Sequence, residues 1–331
     1  MKIIIISDAW KPQVNGVVNS LNMTCIKLRE IGHKIEVIGP DKFKTFPCPS
    51  YPSIKLSLFP KRKLLSIIDE YKPDSIHIAT EGPLGQAARK ICSNNKWRFT
   101  TSYHTQFPEY IKARIPIPLS ISYFFLKRFH SKAEKTLVPT KSMAEKLKDK
   151  GFKNITIWSR GVDKNIFKPS KVKINNRRKK AIYFGRVSPE KNIEAFLNID
   201  LDIEKIIIGD GPSLPKLKKE YPDVIFLGEK FGHELSRIVA ESDVFVFPSK
   251  TDTFGIVIIE ALACGIPVAA YPVTGPKDII EHEVTGYLSD NLDRAIIGAL
   301  KINKNNCIQE SMKYSWENCS KQFESSLSLI N

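Results

Sequence analysis

Short apolar runs alternate with segments of helical spacing along the chain, and this alternation restricts the possible folds most strongly. The first run, Lys2–Ile6, contains four consecutive isoleucines, which is typical of a buried parallel strand. A segment of helical spacing, Gly16–Ile31, separates it from a second apolar run, Lys34–Ile38. A strand, a helix and a strand in this order form a βαβ unit. We therefore predict an α/β protein with an open parallel sheet.

The alternation begins again near residue 170, which predicts a second α/β domain. A length of 331 residues also fits two domains. We expect an N-terminal domain over residues 1–168, a second domain over residues 169–310 and a final helical segment over residues 311–331. The other predicted strands are Ser75–Ile78, Arg98–Ser102 and Thr136–Val138 in the first half, and Ala181–Phe184, Lys205–Ile208, Val224–Phe226, Val244–Phe247 and Pro267–Ala270 in the second.

The excess of positive charge lies in the first half of the chain. Residues 1–170 carry 30 Lys+Arg and 13 Asp+Glu, whereas residues 171–331 carry 21 and 22. This asymmetry indicates an anionic partner for the first half, either nucleic acid or an anionic membrane surface. The six cysteines show neither disulfide-scaffold nor zinc-site spacing, and no apolar run reaches the ~18 residues of a membrane span. We expect a protein of the cytosol, or one bound peripherally to the inner face of the cell membrane.

Polar segments directly follow several predicted strands, at the edge where parallel sheets bind ligands. The segment Phe184–Asn192 presents Arg186 and Lys191, which suit a doubly charged phosphate group. The segment Ile208–Pro212 is a tight turn that permits close approach of the backbone. Two solvated cations and an ordinary turn are the alternative interpretations.

Two carboxylates lie eight residues apart in the segment that follows the strand Val244–Phe247. Asp252 and Glu260 are too far apart along a helix to form an acid–base pair. They suit hydroxyl groups at two ends of one ligand, while the start of the helix faces the ligand's phosphates. The alternative is that Asp252 caps the helix and Glu260 is solvated.

Two loops of the first half also follow predicted strands. In the first, Asn15 and Gly16 stand at a helix start and are expected to expose backbone donors. In the second, His104 follows the strand Arg98–Ser102. A plain capped turn and a histidine with purely structural hydrogen bonds are the alternatives.

The motifs GRVSPEKN, IIGDGP and PSKTDTFGIVIIEALACG, in this order, resemble those of retaining glycosyltransferases of family 4. The resemblance covers essentially the whole chain. It implies a GT-B fold, in which two Rossmann-like parallel-sheet domains face each other across a cleft and the last helix crosses back to the first domain. The segments DAWKPQVNGVV, SYHTQFPEY and TDTFG look most like the branch that makes glycosyl-diacylglycerols, including sulfoquinovosyl-diacylglycerol synthase.

The resemblance also assigns roles to individual residues. It implies that Arg186 and Lys191 bind the donor diphosphate, that Asp252 contacts donor-sugar hydroxyls, and that His104 faces the reacting sugar. Glu260 would hold the ribose. Asp252 stands where the family usually has Glu. The expected donor-binding residues are Asn15, Gly16, Gly185, Gly209, Asp210, Gly211, Thr253, Phe254, Gly255 and Glu260.

The expected enzyme is a retaining hexosyltransferase that uses a nucleotide sugar as co-substrate, without a further cofactor or metal. Arg186 and Lys191 would stabilise the leaving diphosphate, which is the role that a metal ion takes elsewhere. Because no carboxylate is well placed as a covalent nucleophile, we expect attack on the face that the diphosphate leaves, with the donor phosphate accepting the acceptor's proton.

Apolar residues lie beside cations in two segments of the first half, Phe59–Leu65 and Ile115–Phe129. This pattern is typical of interfacial membrane docking, although the aromatic residues could instead belong to the domain core. Charge and resemblance together favour transfer from a UDP-hexose to diacylglycerol. The expected membrane and acceptor residues are Lys61, Arg62, Lys63, Arg114, Phe124, Phe125, Lys127 and Arg128.

Other functions remain open. The same fold and chemistry could use GDP-mannose, or a soluble or polysaccharide acceptor. A UDP-sugar epimerase and a basic nucleic-acid-binding protein are more remote. We expect no nucleic-acid partner, because the basic half lacks a recognition helix or RNA-binding signature and the phosphate-binding motifs lie in the neutral half.

Overall fold

The computed structural model describes residues 1–13, 15–48, 51–112, 117–170 and 178–331. Contacts divide the chain into a first unit, Met1–Arg160 with Trp316–Asn331, and a second unit, Gly161–Ser315. The first boundary precedes the expected residue 168, because Val162 and Phe167 pack in the core of the second unit. The second boundary follows the expected residue 310.

The first unit is built on six parallel strands. They lie in the order β2-β1-β5-β6-β7-β8. Successive strands are therefore added on one side of β1 first and on its other side from β5 onward, so the strand order reverses between β1 and β5. The isoleucines of β1 are completely buried, which explains why that strand is apolar throughout rather than alternating. With β3 and β4, which lie outside this sheet, the strands of the unit are β1 (Lys2–Ile6), β2 (Lys34–Ile38), β3 (Thr45–Cys48), β4 (Tyr51–Ser57), β5 (Ser75–Ile78), β6 (Thr100–Ser102), β7 (Lys135–Val138) and β8 (Ile155–Ile157).

Strands β3 and β4 form a separate antiparallel hairpin that the sequence did not predict. Pro47, Pro49 and Pro52 give this segment the composition of a loop, since proline removes a backbone donor from a strand. The edge strand β8 was also not predicted. It has three residues, none of them fully buried, so it carries little of the apolar pattern that identifies the other strands.

Helices cover both faces of this sheet. One face packs against α2, α3 and the end of α5, through Leu64, Ala88 and Phe129. The other face packs against α1, whose buried residues include Leu21 and Leu28. The helices are α1 (Gly16–Glu30), α2 (Lys61–Tyr71), α3 (Pro83–Asn94), α4 (Phe107–Lys112), α5 (Leu119–His130) and α6 (Lys141–Asp149).

The second unit has a sheet of the same kind. Its strands are parallel and lie in the order β11-β10-β9-β12-β13-β14, with the reversal between β9 and β12. A sheet with such a reversal binds ligands at the carboxyl ends of the strands beside it. The strands are β9 (Lys179–Phe184), β10 (Ile203–Ile208), β11 (Ile225–Phe226), β12 (Val244–Phe247), β13 (Val268–Ala270) and β14 (Gly286–Leu288).

Two apolar layers sandwich this second sheet. Helix α10 lies in one layer and is apolar almost all round, because Ile258, Ile259 and Leu262 are completely buried. Helix α12 lies in the other layer through Ala295 and Ile296. The helices are α7 (Ile193–Leu197), α8 (Leu214–Glu220), α9 (Gly232–Ala240), α10 (Ile256–Ala263), α11 (Pro276–Ile279), α12 (Leu292–Ala299) and α13 (Lys304–Ser311).

The last helix, α14 (Trp316–Ser326), belongs to the first unit. Trp316 and Phe323 pack with Trp158 and with residues of α1. The helix is shorter than the predicted helical segment over residues 311–331, because the residues before Trp316 belong to the second unit. The two parallel α/β units predicted from the sequence are thus confirmed.

All six cysteines are free thiols, and five of them are buried. Within the ranges that the structure describes, no helix combines the length and apolarity required to cross a bilayer.

Candidate active site

Three loops at the carboxyl edge of the second sheet hold most of the predicted donor residues. They follow β9, β10 and β12, which are neighbours in the sheet, so the loops lie side by side. One sheet edge thereby groups residues that are up to 70 positions apart in the sequence. The grouped residues are Gly185, Arg186, Lys191, Gly209, Asp210, Gly211, Asp252, Thr253, Phe254 and Gly255.

Backbone contacts join the first two of these loops. Gly185 N donates to Ile208 O at 3.0 Å, and Val187 N donates to Asp210 O at 2.8 Å. Gly209 has φ +135°, and a Cβ there would lie 1.9 Å from Gly185 O. Glycine is therefore required at position 209 for the two loops to approach this closely.

An ion pair joins the first loop to the third. Lys191 Nζ lies 2.7 Å from Asp252 Oδ1 and 2.9 Å from Oδ2. Asn192 Nδ2 also donates to Pro248 O at 3.0 Å. Lys191, which is predicted to bind the diphosphate, thus contacts Asp252, which is predicted to bind sugar hydroxyls. Neither side chain is more than 19% exposed.

The start of α10 is formed by backbone alone. Its N-cap is Gly255, with φ +91° and no side chain. Asp252 does not cap this helix, so that alternative interpretation is wrong. Phe254 is buried and its ring lies 6.1 Å from that of Tyr314, which leaves its backbone, not its side chain, for a ligand.

Glu260 projects from the second turn of α10 and is partly accessible. Its neighbours Ile259 and Ala261 are completely buried. Burial raises the pKa of the Glu260 carboxyl from 4.5 to about 7. In the described ranges this carboxylate has no ion-pair or hydrogen-bond partner, which is suitable for a ligand that brings its own hydrogen-bond donors.

In the first unit, Asn15 serves its own helix. Its Oδ1 accepts hydrogen bonds from Val17 N and Val18 N, both at 3.0 Å. The expectation that the Asn15–Gly16 start exposes these donors is therefore wrong for Val17 and Val18, because the cap already satisfies them. Gly16 is the first residue of α1.

A buried carboxylate that the sequence did not single out as a site lies at the end of β1. Asp8 accepts hydrogen bonds from Leu84 N at 2.8 Å, Gly85 N at 3.1 Å and Thr80 Oγ1 at 2.9 Å. It ties β1 to the start of α3 at the reversal of the first sheet. Burial raises the pKa of Asp8, and the three hydrogen bonds oppose that rise.

His104 follows β6 and contacts a buried arginine. Arg160 Nη2 lies 3.2 Å from His104 Nδ1, and the ring of Trp158 meets the imidazole edge-on at 5.6 Å. Burial, and then the charge of Arg160, hold the pKa of His104 well below its usual value of 6.5. Arg160 was not among the residues predicted from the sequence. Its place shortly after a strand, the criterion that identified His104, was an available signal, but β8 itself was not predicted.

The predicted docking residues lie on α2 and α5. Lys61, Arg62 and Lys63 form the first turn of α2. On α5, Phe124 and Phe125 are 60% and 63% exposed.

The alternative interpretation of these phenylalanines as core is therefore wrong for Phe124 and Phe125. It is right for Phe129, which is buried. Lys127 and Arg128 occupy the last turn of α5, and Arg114 lies outside the described residues.

Family models match both halves of the chain. Residues 14–165 match the model described as Glycosyltransferase Family 4, and residues 164–307 match the model described as Glycosyl transferases group 1.

Several named proteins are similar over most of the chain. A GDP-mannose-dependent alpha-mannosyltransferase of Corynebacterium glutamicum is 31% identical over 88% of this chain and 78% of its own length. The sulfoquinovosyl transferase SQD2 of Arabidopsis thaliana is 31% identical over 82% of this chain and 60% of its own length. An alpha-monoglucosyldiacylglycerol synthase of Streptococcus pneumoniae is 25% identical over 97% and 84%.

Solved structures share the fold. Sucrose-phosphate synthase from Thermosynechococcus elongatus has a TM-score of 0.78 at 19% identity, covering 98% of this chain and 97% of its own. Anabaena Alr3699/HepE, crystallised with UDP, has a TM-score of 0.73 at 18% identity, covering 98% and 99%. The predicted family, fold and enzyme class are thereby confirmed. The chain belongs to glycosyltransferase family 4 and is a glycosyltransferase with the GT-B fold.

Proposed function

We propose that the protein transfers a hexose from a UDP-sugar to a hydroxyl group of diacylglycerol at a membrane surface, with retention of the anomeric configuration. The observation that carries the transfer chemistry is the grouping of Arg186, Lys191, Asp252 and the start of α10 at one sheet edge. The observation that supports a lipid acceptor is the exposed aromatic and basic surface of the first unit.

The donor diphosphate would be held by charge that is fixed in place before the reaction. Arg186 supplies a planar fork of donors, Lys191 an ammonium, and α10 the partial positive charge of its first turn. In the free protein Asp252 neutralises Lys191. When a diphosphate takes over the ammonium, the Asp252 carboxylate becomes available to accept hydrogen bonds from sugar hydroxyls.

Glu260 would hold the ribose of the nucleotide. Its carboxylate accepts hydrogen bonds but has none in the described structure, and the two ribose hydroxyls are donors of matching spacing. The structurally similar Anabaena protein is crystallised with UDP, which supports a uridine nucleotide here.

Retention is best served by attack on the face from which the diphosphate leaves. The bond between the anomeric carbon and the phosphate oxygen breaks, the acceptor oxygen bonds to that carbon, and the acceptor's proton passes to the phosphate. Asp252 is already proposed to accept hydrogen bonds from sugar hydroxyls, and Asp210 accepts from Gly211 N at 2.7 Å, so neither is assigned as a nucleophile. His104 is proposed, from the family resemblance, to hydrogen-bond the donor sugar.

A metal ion is not required for this proposal. The charge that develops on the leaving diphosphate is matched by Arg186, Lys191 and the helix start, which together supply the electrostatic stabilisation that an ion supplies elsewhere. The nucleotide sugar is then the sole co-substrate besides the acceptor.

The proposed docking surface comprises Phe59, which precedes α2, Lys61–Lys63 of α2, and Phe124, Phe125, Lys127 and Arg128 of α5. Both helices pack on the same face of the first sheet. Phe59 is 94% exposed and has φ +46°, an unfavourable backbone conformation that turns a large apolar ring outward.

The charge of the first unit complements an anionic membrane. The unit carries 29 Lys+Arg against 14 Asp+Glu, whereas the second unit carries 22 against 21. Exposed aromatic rings that insert between lipids, together with cations that attract anionic headgroups, give reversible peripheral binding. The product in the name of the streptococcal relative, monoglucosyldiacylglycerol, supports the same acceptor.

A second candidate is mannosyl transfer from GDP-mannose. The Corynebacterium relative named for that donor matches over 88% of the chain at 31% identity, which is as high as the identity to the sulfoquinovosyl transferase. The catalytic proposal is the same for both donors, because the diphosphate is common to them.

Variants of the docking surface test whether the acceptor is a membrane lipid. We expect the double variant Phe124→Ser, Phe125→Ser to lose at least about tenfold in transfer to diacylglycerol in anionic vesicles, since each ring buried in lipid contributes about 1.5–3 kcal/mol. Transfer to a water-soluble short-chain diacylglycerol should be unchanged. Phe231→Ser, which removes a 57%-exposed phenylalanine from the second unit, is the matched control. Unchanged vesicle activity, or an equal loss on both acceptors, would refute the docking proposal.

A further inference from the structure

Arg160 is a buried cation without a carboxylate partner in the ranges that the structure describes. Its side chain is 4% exposed. Nη1 donates to Trp158 O at 2.6 Å and to Ser159 O at 2.9 Å, and the guanidinium lies 4.3 Å from the centroid of the Trp158 ring. These contacts hold Nη2 at 3.2 Å from His104 Nδ1.

The contact with Arg160 fixes the direction of one hydrogen bond of His104. A guanidinium has donors and no acceptor, so Nδ1 of the imidazole must accept. A neutral imidazole whose Nδ1 accepts carries its proton on Nε2. By contrast, both nitrogens of His77 contact hydroxyl groups, Thr100 Oγ1 at 2.8 Å and Ser102 Oγ at 2.7 Å, which could either donate or accept.

The surroundings of His104 also oppose a second proton. Burial lowers its pKa most, and the positive charge of Arg160 lowers it further. The edge of Trp158 is apolar. An aspartate at the position of Arg160 would have the opposite effect, since a carboxylate that accepts from Nδ1–H raises the basicity of the ring.

We propose that Arg160 is a positioning residue that fixes His104 as the neutral Nε2–H tautomer, so that His104 offers the donor sugar a hydrogen-bond donor and not a base. This inference rests on the proposed function, in which His104 contacts the sugar. A neutral imidazole acts in this way where an enzyme must polarise an oxygen without transferring a proton to it, and an uncharged donor stays available across the physiological pH range.

The tautomer is measured directly by NMR of the full chain labelled with ¹⁵N-histidine, with His104→Gln identifying the His104 signals. We expect His104 to show a non-protonated Nδ1 and a protonated Nε2 between pH 5 and pH 8. In Arg160→Met we expect a mixture of tautomers, or protonation of the ring towards pH 5. An Nδ1–H tautomer or an imidazolium at pH 7 in the wild type would overturn the proposal, and so would an unchanged tautomer in Arg160→Met. If Arg160→Met does not fold, the wild-type spectrum still decides, and Arg160→Lys, which keeps a donor, should preserve the tautomer.

Kinetics test the role of the donor. A glutamine amide reaches the position of Nε2 and an asparagine amide that of Nδ1. We therefore expect His104→Gln to retain activity within about tenfold and His104→Asn to lose ~10²–10³ in kcat. Arg160→Met should lower kcat more than it raises KM, and should have little further effect in the His104→Gln background.

Equal losses in His104→Gln and His104→Asn would contradict a donor role, and additive losses in the double variant would contradict action through His104. Absence of transfer by the wild type would refute the proposed function instead, and the NMR spectrum would still decide the role of Arg160.

Discussion

The pKa of Glu260 leads to a quantitative prediction about donor binding. In the free protein, burial raises the pKa of this carboxyl from 4.5 to about 7. In the proposed donor complex the ribose hydroxyls donate to the ionised form, so we expect the carboxyl to lose its proton when the nucleotide binds. From pH 8 to pH 5 the ionised fraction falls from about nine tenths to about one hundredth, so donor affinity should fall about 100-fold, or about 2.7 kcal/mol.

Isothermal titration with UDP-glucose or GDP-mannose between pH 5 and pH 8 measures this dependence. A nucleotide sugar is preferred to the free diphosphate, because its doubly substituted diphosphate does not titrate in this range. Buffers of different ionisation enthalpy should report release of about half a proton for each donor bound at pH 7.

The variant Glu260→Gln measures how much of the pH dependence of donor binding comes from other titrating groups. It should bind the donor more weakly at pH 8 and with little pH dependence, since the amide cannot ionise. The same slope in the wild type and in Glu260→Gln would refute the assignment of Glu260 to the ribose.

Three further predictions concern the donor loops and the first sheet. Arg186→Ala should lower turnover by ~10²–10³, about 3–4 kcal/mol, without unfolding the protein. The control Lys250→Ala, in the third loop, should keep near wild-type turnover. Near-normal activity of Arg186→Ala would contradict leaving-group stabilisation. Gly209→Ala should lower the free energy of unfolding in urea by about 1–3 kcal/mol, because the added Cβ would lie 1.9 Å from Gly185 O. An unchanged urea midpoint would contradict this. Burial lowers the pKa of His77 from 6.5 to about 3, so the unfolded chain binds a proton that the folded chain does not. The free energy of unfolding should therefore fall as pH drops from about 6.5 towards 3, by at most about 1.4 kcal/mol per pH unit from this group. His77→Gln should reduce that slope, and an identical slope would show that other groups cause it.

Much of the fold could be predicted because most residues of its central strands are buried. The observed bounds of β1, β2, β5 and β12 are those predicted, since an apolar run between polar loops marks both ends of such a strand. The hairpin β3–β4 escaped prediction because its prolines outweigh its alternation. That Phe124 and Phe125 are exposed while Phe129 is buried could be seen only from the geometry of the helix, since all three belong to one apolar run in the sequence.

The position of the site could be predicted and its internal contacts could not. Loops that follow parallel strands meet at one edge, so Arg186 and Asp252 could be assigned to one place from the sequence. The ion pair of Lys191 with Asp252 joins residues 61 positions apart, so no local sequence pattern predicts it. The capping role of Asn15 could not be told from a ligand-binding role in the sequence, because a helix cap and an anion-binding turn use the same residue types.

The most direct measurement offers the purified protein a panel of nucleotide sugars with diacylglycerol in anionic vesicles. The panel comprises UDP-glucose, UDP-galactose, UDP-glucuronic acid, UDP-sulfoquinovose and GDP-mannose. We predict a glycosyl-diacylglycerol from one UDP-sugar, with the anomeric configuration of the donor and with a yield that falls at high salt, where attraction to the anionic surface is screened. A glycolipid formed from GDP-mannose alone would support the second candidate over the first. Consumption of a donor without any glycolipid, or with transfer to soluble acceptors alone, would contradict the lipid glycosyltransferase account.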